Sequence, residues 1–167
     1  LFWGYINERL DGAAIEACIP QLYRAGLRLR FVGPLDADGR QLQRRLGTSP
    51  VVEWGPSCSF AELDTSDCLA ALIPYRLNCP GVKAIQLSNK ALQLLSRGLP
   101  LITSAMPNFH RADYVLPYGT SAYPSLSDAI GAAASRFDDL QPAIASFVAA
   151  NGPQQRLAQL LGPGSGD

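Results

Sequence analysis

The sequence lacks several features that would assign it to a class at once. It has one histidine, one methionine and four cysteines without a C-x-x-C pair, and no apolar run approaches the roughly 20 residues of a membrane helix. The cysteine spacing argues against zinc or a disulfide framework and favours a reducing compartment. Basic and acidic residues number 14 each, so no basic excess supports binding of nucleic acid.

The sequence also lacks the common cofactor motifs. No G-x-G-x-x-G follows the first apolar run, which disfavours a nicotinamide cofactor, and no G-x-x-x-x-G-K-[ST] is present, which excludes a P-loop. Asp36, Asp38, Asp64 and Asp67 do not form a pattern typical of metal ligands. We therefore expect no metal and no resident cofactor.

Apolar runs of strand length alternate with helical patterns along most of the chain. Predicted strands are Leu1–Ile6, Leu27–Val32, Val51–Trp54, Cys68–Ile73, Leu99–Ile102 and Tyr114–Leu116. Predicted helices lie between Asp11 and Gly26, at Asp38–Leu46, around Phe60–Leu63, between Ser88 and Gly98, and at Ser125–Phe137, Pro142–Ala150 and Gln154–Leu161. The alternation predicts an α/β, Rossmann-like domain: a doubly wound parallel sheet of about six strands with helices on both faces.

The segment Leu72–Ser104 carries the clearest functional signal. It predicts a buried strand, a loop, a short helix and a second buried strand, which together form a βαβ unit. Ser88 or Asn89 caps the helix, Lys90 lies in its first turn, and Gly98 ends it. Because this helix begins at the carboxyl edge of the sheet, its N–H groups and Lys90 predict a phosphate site.

Each candidate residue also has a plain structural explanation. Lys90 can be an exposed lysine of a first helical turn, and Arg9 can pair with Asp11. Gln93 can be a polar position on an exposed stripe. His110 is the side chain whose ordinary pKa lies nearest neutrality, but no neighbouring motif indicates that it acts in catalysis.

An ordered series of motifs resembles a known family. The stretches that carry the resemblance are Gly4–Asp11 (GYINERLD), Phe31–Pro34 (FVGP), Val52–Gly55 (VEWG), Ile73–Asn78 (IPYRLN), Asn89–Ile102 (NKALQLLSRGLPLI) and Asn151–Leu161. They are similar to the carboxyl-terminal, donor-binding half of the retaining glycosyltransferases with two Rossmann domains (B-type) that build bacterial polysaccharides.

The resemblance implies a division of the chain and an activity. Residues 1–161 would bind a nucleotide sugar, residues 162–167 would be a disordered tail, and an amino-terminal acceptor domain would belong to the parent protein. The parent enzyme would transfer a sugar from a nucleoside-diphosphate sugar to a glycan or lipid-linked acceptor, without metal or cofactor. We expect the parent enzyme in the cytoplasm, with attachment to the inner face of the membrane left open. We expect this fragment alone to be inactive.

The resemblance also implies binding roles for individual residues and leaves the catalytic residues unknown. The residues implied to bind the donor diphosphate are Gly4, Arg9, Ser88, Asn89 and Lys90. Those implied to contact the sugar or the diphosphate are Arg76 and Asn78, and those implied to contact the ribose or base are Gln93, Gly55, Pro56 and Ser57.

Three positions depart from the family pattern and leave two alternatives open. Gln93 stands where the family usually has a glutamate, Asp11 falls near the position of a basic residue, and Ile85 replaces a further carboxylate. One alternative is a degenerate, non-catalytic glycosyltransferase-like module that acts in protein assembly. The other is a nucleotide-sugar epimerase, which shares the two-domain architecture.

Overall fold

Short parallel strands and helices alternate along residues 1–152, the part of the chain that the computed structural model describes. The strands are β1 (Phe2–Trp3), β2 (Leu29–Val32), β3 (Val52–Gly55), β4 (Ala71–Ile73), β5 (Leu101–Ser104) and β6 (Val115–Tyr118). The helices are α1 (Gly12–Arg24), α2 (Ala37–Leu46), α3 (Asn89–Ser96), α4 (Leu126–Ser135) and α5 (Phe137–Ala150), with a single 3-10 turn at Val82–Ala84.

The strands form two parallel sheets of three strands each, in the orders β1-β2-β3 and β4-β5-β6. The architecture is consistent with a Rossmann-like α/β fold, but the prediction of one sheet of about six strands is wrong. The sheets meet where Leu1 N–H donates to the carbonyl of Ala70 (2.9 Å) and Leu72 N–H donates to the carbonyl of Leu1 (2.7 Å). The pairing stops there because β1 is two residues long and Gly4, at φ +136°, turns the chain away.

The second sheet is the most deeply buried part of the fold. Every residue of β4 and of β5 is buried, and because side chains alternate between the two faces of a strand, both faces of these strands are covered. Helix α4 packs on β5 and β6 and against α1, while α3 packs on β5 and against α5. Within residues 1–152, no helix is both long and apolar enough to span a bilayer.

The predicted helix ends agree with the structure at several positions. The Asp11 carboxylate accepts a hydrogen bond from Ala14 N–H and caps α1. Ser88 does the same for Ala91 N–H at α3, and Gly98 follows α3 at φ +76°. Ser125 and Asp128 form the capping box of α4. Each cap satisfies an N–H group that has no partner within its own helix.

Other boundaries differ from the predictions. The first and fourth strands are shorter than predicted, and Phe60–Leu63 is a turn instead of a helix. The helix predicted to begin at Pro142 begins at Phe137, so Pro142 lies inside α5. Its ring fixes φ near the helical value, and the cost is the loss of one backbone donor. The predicted helix at 154–161 and the predicted disordered tail at 162–167 lie outside the described residues.

Candidate functional site

Three loops meet at the carboxyl edge of the strands. The first loop, Gly4–Asp11, follows β1 and runs beside the loop that follows β2. Ile6 N–H donates to the carbonyl of Pro34 (2.9 Å), and Asp36 N–H donates to the carbonyl of Ile6 (3.2 Å). Gly33 is required in this contact, because a Cβ at Gly33 would lie 2.0 Å from the carbonyl oxygen of Gly4. The first loop is therefore fixed to the end of β2.

The other side of the first loop pairs with the loop that follows β4. Asp11 N–H donates to the carbonyl of Pro74 (2.7 Å), and Arg76 N–H donates to the carbonyl of Arg9 (2.7 Å). These bonds place two arginines, which are 67 positions apart in the sequence, on neighbouring backbone segments. Both side chains are exposed, and neither guanidinium has a hydrogen bond or an ion pair with a residue in the range 1–152.

Lys90 reaches from the start of α3 to the same edge. Its Nζ donates a hydrogen bond to the hydroxyl of Tyr75 (2.8 Å) and lies 4.5 Å from the centroid of the Phe2 ring. A Cβ at Gly4 would lie 3.3 Å from Nζ, so the glycine leaves the space that the lysine occupies. The half-buried ammonium is held by the Tyr75 hydroxyl and by the rings of Phe2 and Tyr75, and its hydrogen bond to the hydroxyl uses one of its three protons.

The beginning of α3 supplies further donors. The Ser88 hydroxyl is occupied as the cap of Ala91 N–H (3.2 Å). Within the part of the chain that the structure describes, the N–H groups of Asn89 and Lys90 have no partner, as is usual for the first turn of a helix. They add partial positive charge beside the ammonium. Asn78 is exposed in the loop after β4.

Gln93 follows Lys90 by three positions on α3. It borders a groove between α3 and α5 together with Leu92, Phe147 and Val148. The Lys90 ammonium instead contacts Phe2 of β1.

The predicted base-binding residues, Gly55, Pro56 and Ser57, lie at the carboxyl end of β3, where Gly55 pairs with Val32 of β2. The segment that follows them is held by other elements. Trp3 Nε1 donates to the carbonyl of Cys58 (3.2 Å), and the Trp3 and Phe60 rings are 5.6 Å apart. Arg97, just after α3, lies over the Phe60 ring and donates to the Phe60 carbonyl (3.2 Å).

Three carboxylates form a group at this edge that the sequence did not predict, because Asp36 and Asp38 were considered without Glu8. One oxygen each of Glu8, Asp36 and Asp38 lies within 4.8 Å of the others. One Asp36 oxygen also accepts a hydrogen bond from Gly39 N–H (2.8 Å) and caps α2. The signal that could have found the group is positional, because Glu8 follows β1, Asp36 and Asp38 follow β2, and the ends of parallel strands meet at one edge. Such a group opposes anion binding nearby.

Asp11 links the first loop to the second sheet. One of its oxygens accepts from Ala14 N–H (3.1 Å) and the other accepts from the Tyr118 hydroxyl (3.1 Å). Burial, together with the Asp11 charge, raises the pKa of Tyr118, so its hydroxyl remains a donor. The residue that the family pattern would make basic therefore has a structural task here.

Comparisons with known proteins give little further information. No protein-family model and no curated protein matches this sequence. Among solved structures, the chain is similar to AviGT4, a glycosyltransferase involved in avilamycin A biosynthesis, at 20% identity and a TM-score of 0.46. The similarity covers 97% of this chain and 51% of that one, so the present chain spans about half the length of AviGT4. At this level the similarity carries no argument about activity, which has to come from the site.

Proposed function

We propose that the carboxyl edge binds the diphosphate of a nucleoside-diphosphate sugar, and that the chain is the donor-binding part of a glycosyltransferase. The observation that carries the proposal is that Lys90 bonds to Tyr75 in the loop after β4, and that the next residue of that loop, Arg76, is paired through its backbone with Arg9 of the first loop. A diphosphate is the small ligand whose charge and oxygen count suit one ammonium, two guanidinium groups and free N–H groups.

The proposed chemistry is electrostatic. Negative charge builds on the diphosphate as the bond from its oxygen to the anomeric carbon of the sugar breaks, and cations stabilise that charge. Lys90 is preorganised for this task, because Tyr75 and Phe2 already hold its ammonium. The acceptor hydroxyl, which forms the new bond to the anomeric carbon, is assigned to an amino-terminal domain of the parent protein. The fragment alone is therefore expected to bind a donor without transferring sugar.

Calorimetric titration of the 167-residue chain with uridine, guanosine and adenosine diphosphates tests the proposal. We expect at least one of them to bind and the matching nucleoside to bind much more weakly. Arg76→Gln and Lys90→Met should each weaken binding about tenfold, because each removes a charge-assisted hydrogen bond. Arg44→Gln is the matched control, since Arg44 is exposed on α2.

A specific observation favours one alternative, the non-catalytic assembly module. Glu8, Asp36 and Asp38 crowd the same edge with negative charge, and Gln93 borders the groove between α3 and α5. If none of the three nucleoside diphosphates binds while the thermal unfolding midpoint shows an intact fold, the donor-binding proposal is wrong and the assembly module stands.

A further inference from the structure

A cavity separate from the proposed diphosphate site lies beside the second sheet, between β5, β6 and the loop 105–112. Its volume is about 230 Å³, and its walls include Thr103, Met106, Phe109, His110, Arg111 and Val115. None of these residues belongs to the proposed diphosphate site. The volume is below the roughly 300–1,000 Å³ of pockets that hold drug-sized ligands, so the cavity suits a small molecule.

Thr103 brings an unused hydroxyl to this cavity. The residue is 1% exposed, and its Oγ1 has no hydrogen-bond partner within residues 1–152. The other hydroxyl in the lining belongs to Thr120, which donates to the carbonyl of Pro117 (2.9 Å) and accepts from Tyr123 N–H (3.2 Å). A buried hydroxyl without a partner costs about 1–3 kcal/mol. Neighbouring atoms cover Oγ1, so a ligand in the cavity would supply the missing partner after rotation of the Thr103 side chain about χ1.

The same cavity has two cationic or ionisable groups. The Nε2 atom of His110 lies 2.9 Å from the hydroxyl of Tyr114, and the His110 ring packs 5.2 Å from the Phe147 ring. Burial raises the pKa of Tyr114 to about 12, so the phenol stays neutral and fixes the imidazole. Arg111 is exposed, and its guanidinium makes no ion pair with any other residue between 1 and 152.

Most of the remaining lining is apolar. Met106, Phe109 and Val115 are buried side chains of the fold that also face the cavity. A thioether beside aromatic groups forms favourable contacts with a flat ring. The cavity therefore combines an apolar body, one inner hydroxyl and a guanidinium that is exposed to solvent.

We propose that this cavity binds a small carboxylate with an apolar, ring-sized body, whose carboxylate contacts Arg111 and whose far end hydrogen-bonds to Thr103. The Arg111 guanidinium can hold a carboxylate through two parallel hydrogen bonds. The imidazole of His110 provides a further donor at its Nδ1 atom when that atom is protonated. The proposal is independent of the diphosphate site, because the two sites share no residue.

The test is a titration of the 167-residue chain followed by amide NMR, with 4-hydroxybenzoate as the probe. Benzoate lacks the group that would reach Thr103, and 4-hydroxybenzamide lacks the charge that would reach Arg111. We expect 4-hydroxybenzoate to shift the amides of residues 103–112 and to bind about tenfold more tightly than either analogue.

Variants assign the contacts. Thr103→Val keeps the shape of the side chain and removes the hydroxyl, so it should abolish the preference for 4-hydroxybenzoate over benzoate while the unfolding midpoint stays equal or rises. Thr103→Ser should retain the preference. Arg111→Gln should abolish the preference over 4-hydroxybenzamide, and Arg44→Gln should change nothing.

The opposite results overturn the proposal. They are an absence of shifts in residues 103–112 at any probe concentration, shifts confined to the first loop and α3, or full preference retained in Thr103→Val. Since uridine, guanosine and adenosine diphosphates report on the other site, a failure here leaves the result of that experiment unchanged.

Discussion

At the scale of single residues, Asp11 shows how one side chain serves two elements. It caps α1 through Ala14 N–H and accepts from the hydroxyl of Tyr118. Asp11→Ala should lower the free energy of unfolding by about 2–4 kcal/mol, because a lost cap costs about 1 kcal/mol and a buried hydroxyl without a partner costs about 1–3 kcal/mol. Urea unfolding followed by circular dichroism measures the loss.

Two control variants separate the contributions of Asp11. Tyr118→Phe removes the hydroxyl and leaves the cap, so it should cost about 1 kcal/mol. Ser125→Ala removes an exposed cap on α4 and should also cost about 1 kcal/mol. A loss in Asp11→Ala no greater than that in Tyr118→Phe would contradict a capping role for Asp11.

Gly4 is the second residue whose identity the structure explains. Its φ of +136° disfavours any other residue, and a Cβ would lie 3.3 Å from Nζ of Lys90. Gly4→Ala should cost about 1–3 kcal/mol of stability from backbone strain and crowding. Adding Lys90→Ala should recover part of that loss, which a double-mutant cycle from urea unfolding would measure.

Gly26 provides the matched control. It also has a positive φ, of +66°, but nothing lies within 4 Å of a Cβ built there. Gly26→Ala should therefore lose about 1 kcal/mol from the backbone alone, and Lys90→Ala should not relieve that loss. Equal relief of both glycine variants by Lys90→Ala would show that Lys90 does not press on Gly4.

At the scale of elements, an ion-pair network joins β2 to β3 and to the segment before β4. The Arg30 guanidinium donates to both oxygens of Asp67 (2.6 and 3.1 Å) and to Oε2 of Glu53 (3.4 Å). The other oxygen of Glu53 accepts a hydrogen bond from Arg28 (2.6 Å). The bond from Arg30 lowers the pKa of Asp67, and bonds from Arg28 and then Arg30 lower that of Glu53.

The network predicts an acid-dependent part of the stability. A carboxylate whose pKa is lowered in the folded state stabilises the fold above its unfolded pKa near 4, and that stabilisation is lost as the pH falls through the lower, folded value. Because the Asp67 side chain is 60% exposed, we expect a contribution of about 0.5 kcal/mol.

Urea unfolding at pH values between about 6 and 2 measures this contribution. Asp67→Asn should reduce the fall in stability below pH 4, whereas Asp113→Asn, at an exposed aspartate without an ion pair in the described chain, should not. An unchanged pH profile in Asp67→Asn would mean that solvent screens the pair completely.

The elements also show what the sequence can and cannot predict. Helix caps such as Ser88 were predictable because they depend on local hydrogen bonds. The true length of β1 was not, because the strand ends where Gly33 lets the backbone of Gly4 approach. The turn at Phe60 depends on Trp3 and was equally invisible, since no local pattern reports a contact between residues 57 positions apart.

The sequence likewise predicts some features of the candidate site and not others. That the first loop and the loop after β4 share an edge follows from the parallel arrangement of the strands. The strand arrangement does not predict which side chains contact each other. The hydrogen bond from Lys90 to Tyr75 and the grouping of Glu8 with two aspartates depend on how the loops are paired in three dimensions. Gln93 borders the groove between α3 and α5, whereas the Lys90 ammonium contacts Phe2 of β1.

At the scale of the whole molecule, the proposed diphosphate site bridges the two sheets. The first loop belongs to the β1 sheet, whereas Arg76 and Lys90 follow β4. Two sets of hydrogen bonds join the sheets: those of Leu1 with Ala70 and Leu72, and those of the first loop with residues 74–76. A ligand held from both sides should therefore stabilise the junction, by an amount set by its concentration relative to its dissociation constant.

The net charge of the molecule is zero, so the total charge does not attract an anion to this edge. Binding has to come from local groups, and cations and carboxylates both occupy the edge. The balance between Lys90 with its arginine neighbours and the Glu8 group decides whether the edge holds an anion. Removing negative charge by Glu8→Gln should tighten nucleoside diphosphate binding several-fold at low salt, and added salt should reduce the difference.

Amide and side-chain NMR of the 167-residue chain during titration with uridine diphosphate and guanosine diphosphate locates a bound diphosphate residue by residue. Binding at the carboxyl edge should shift residues 4–11, 74–79 and 88–90, together with a shift of the Lys90 ammonium group that disappears in Lys90→Met. Shifts that avoid these three segments, or none with either nucleotide while the spectrum shows a folded chain, would contradict it.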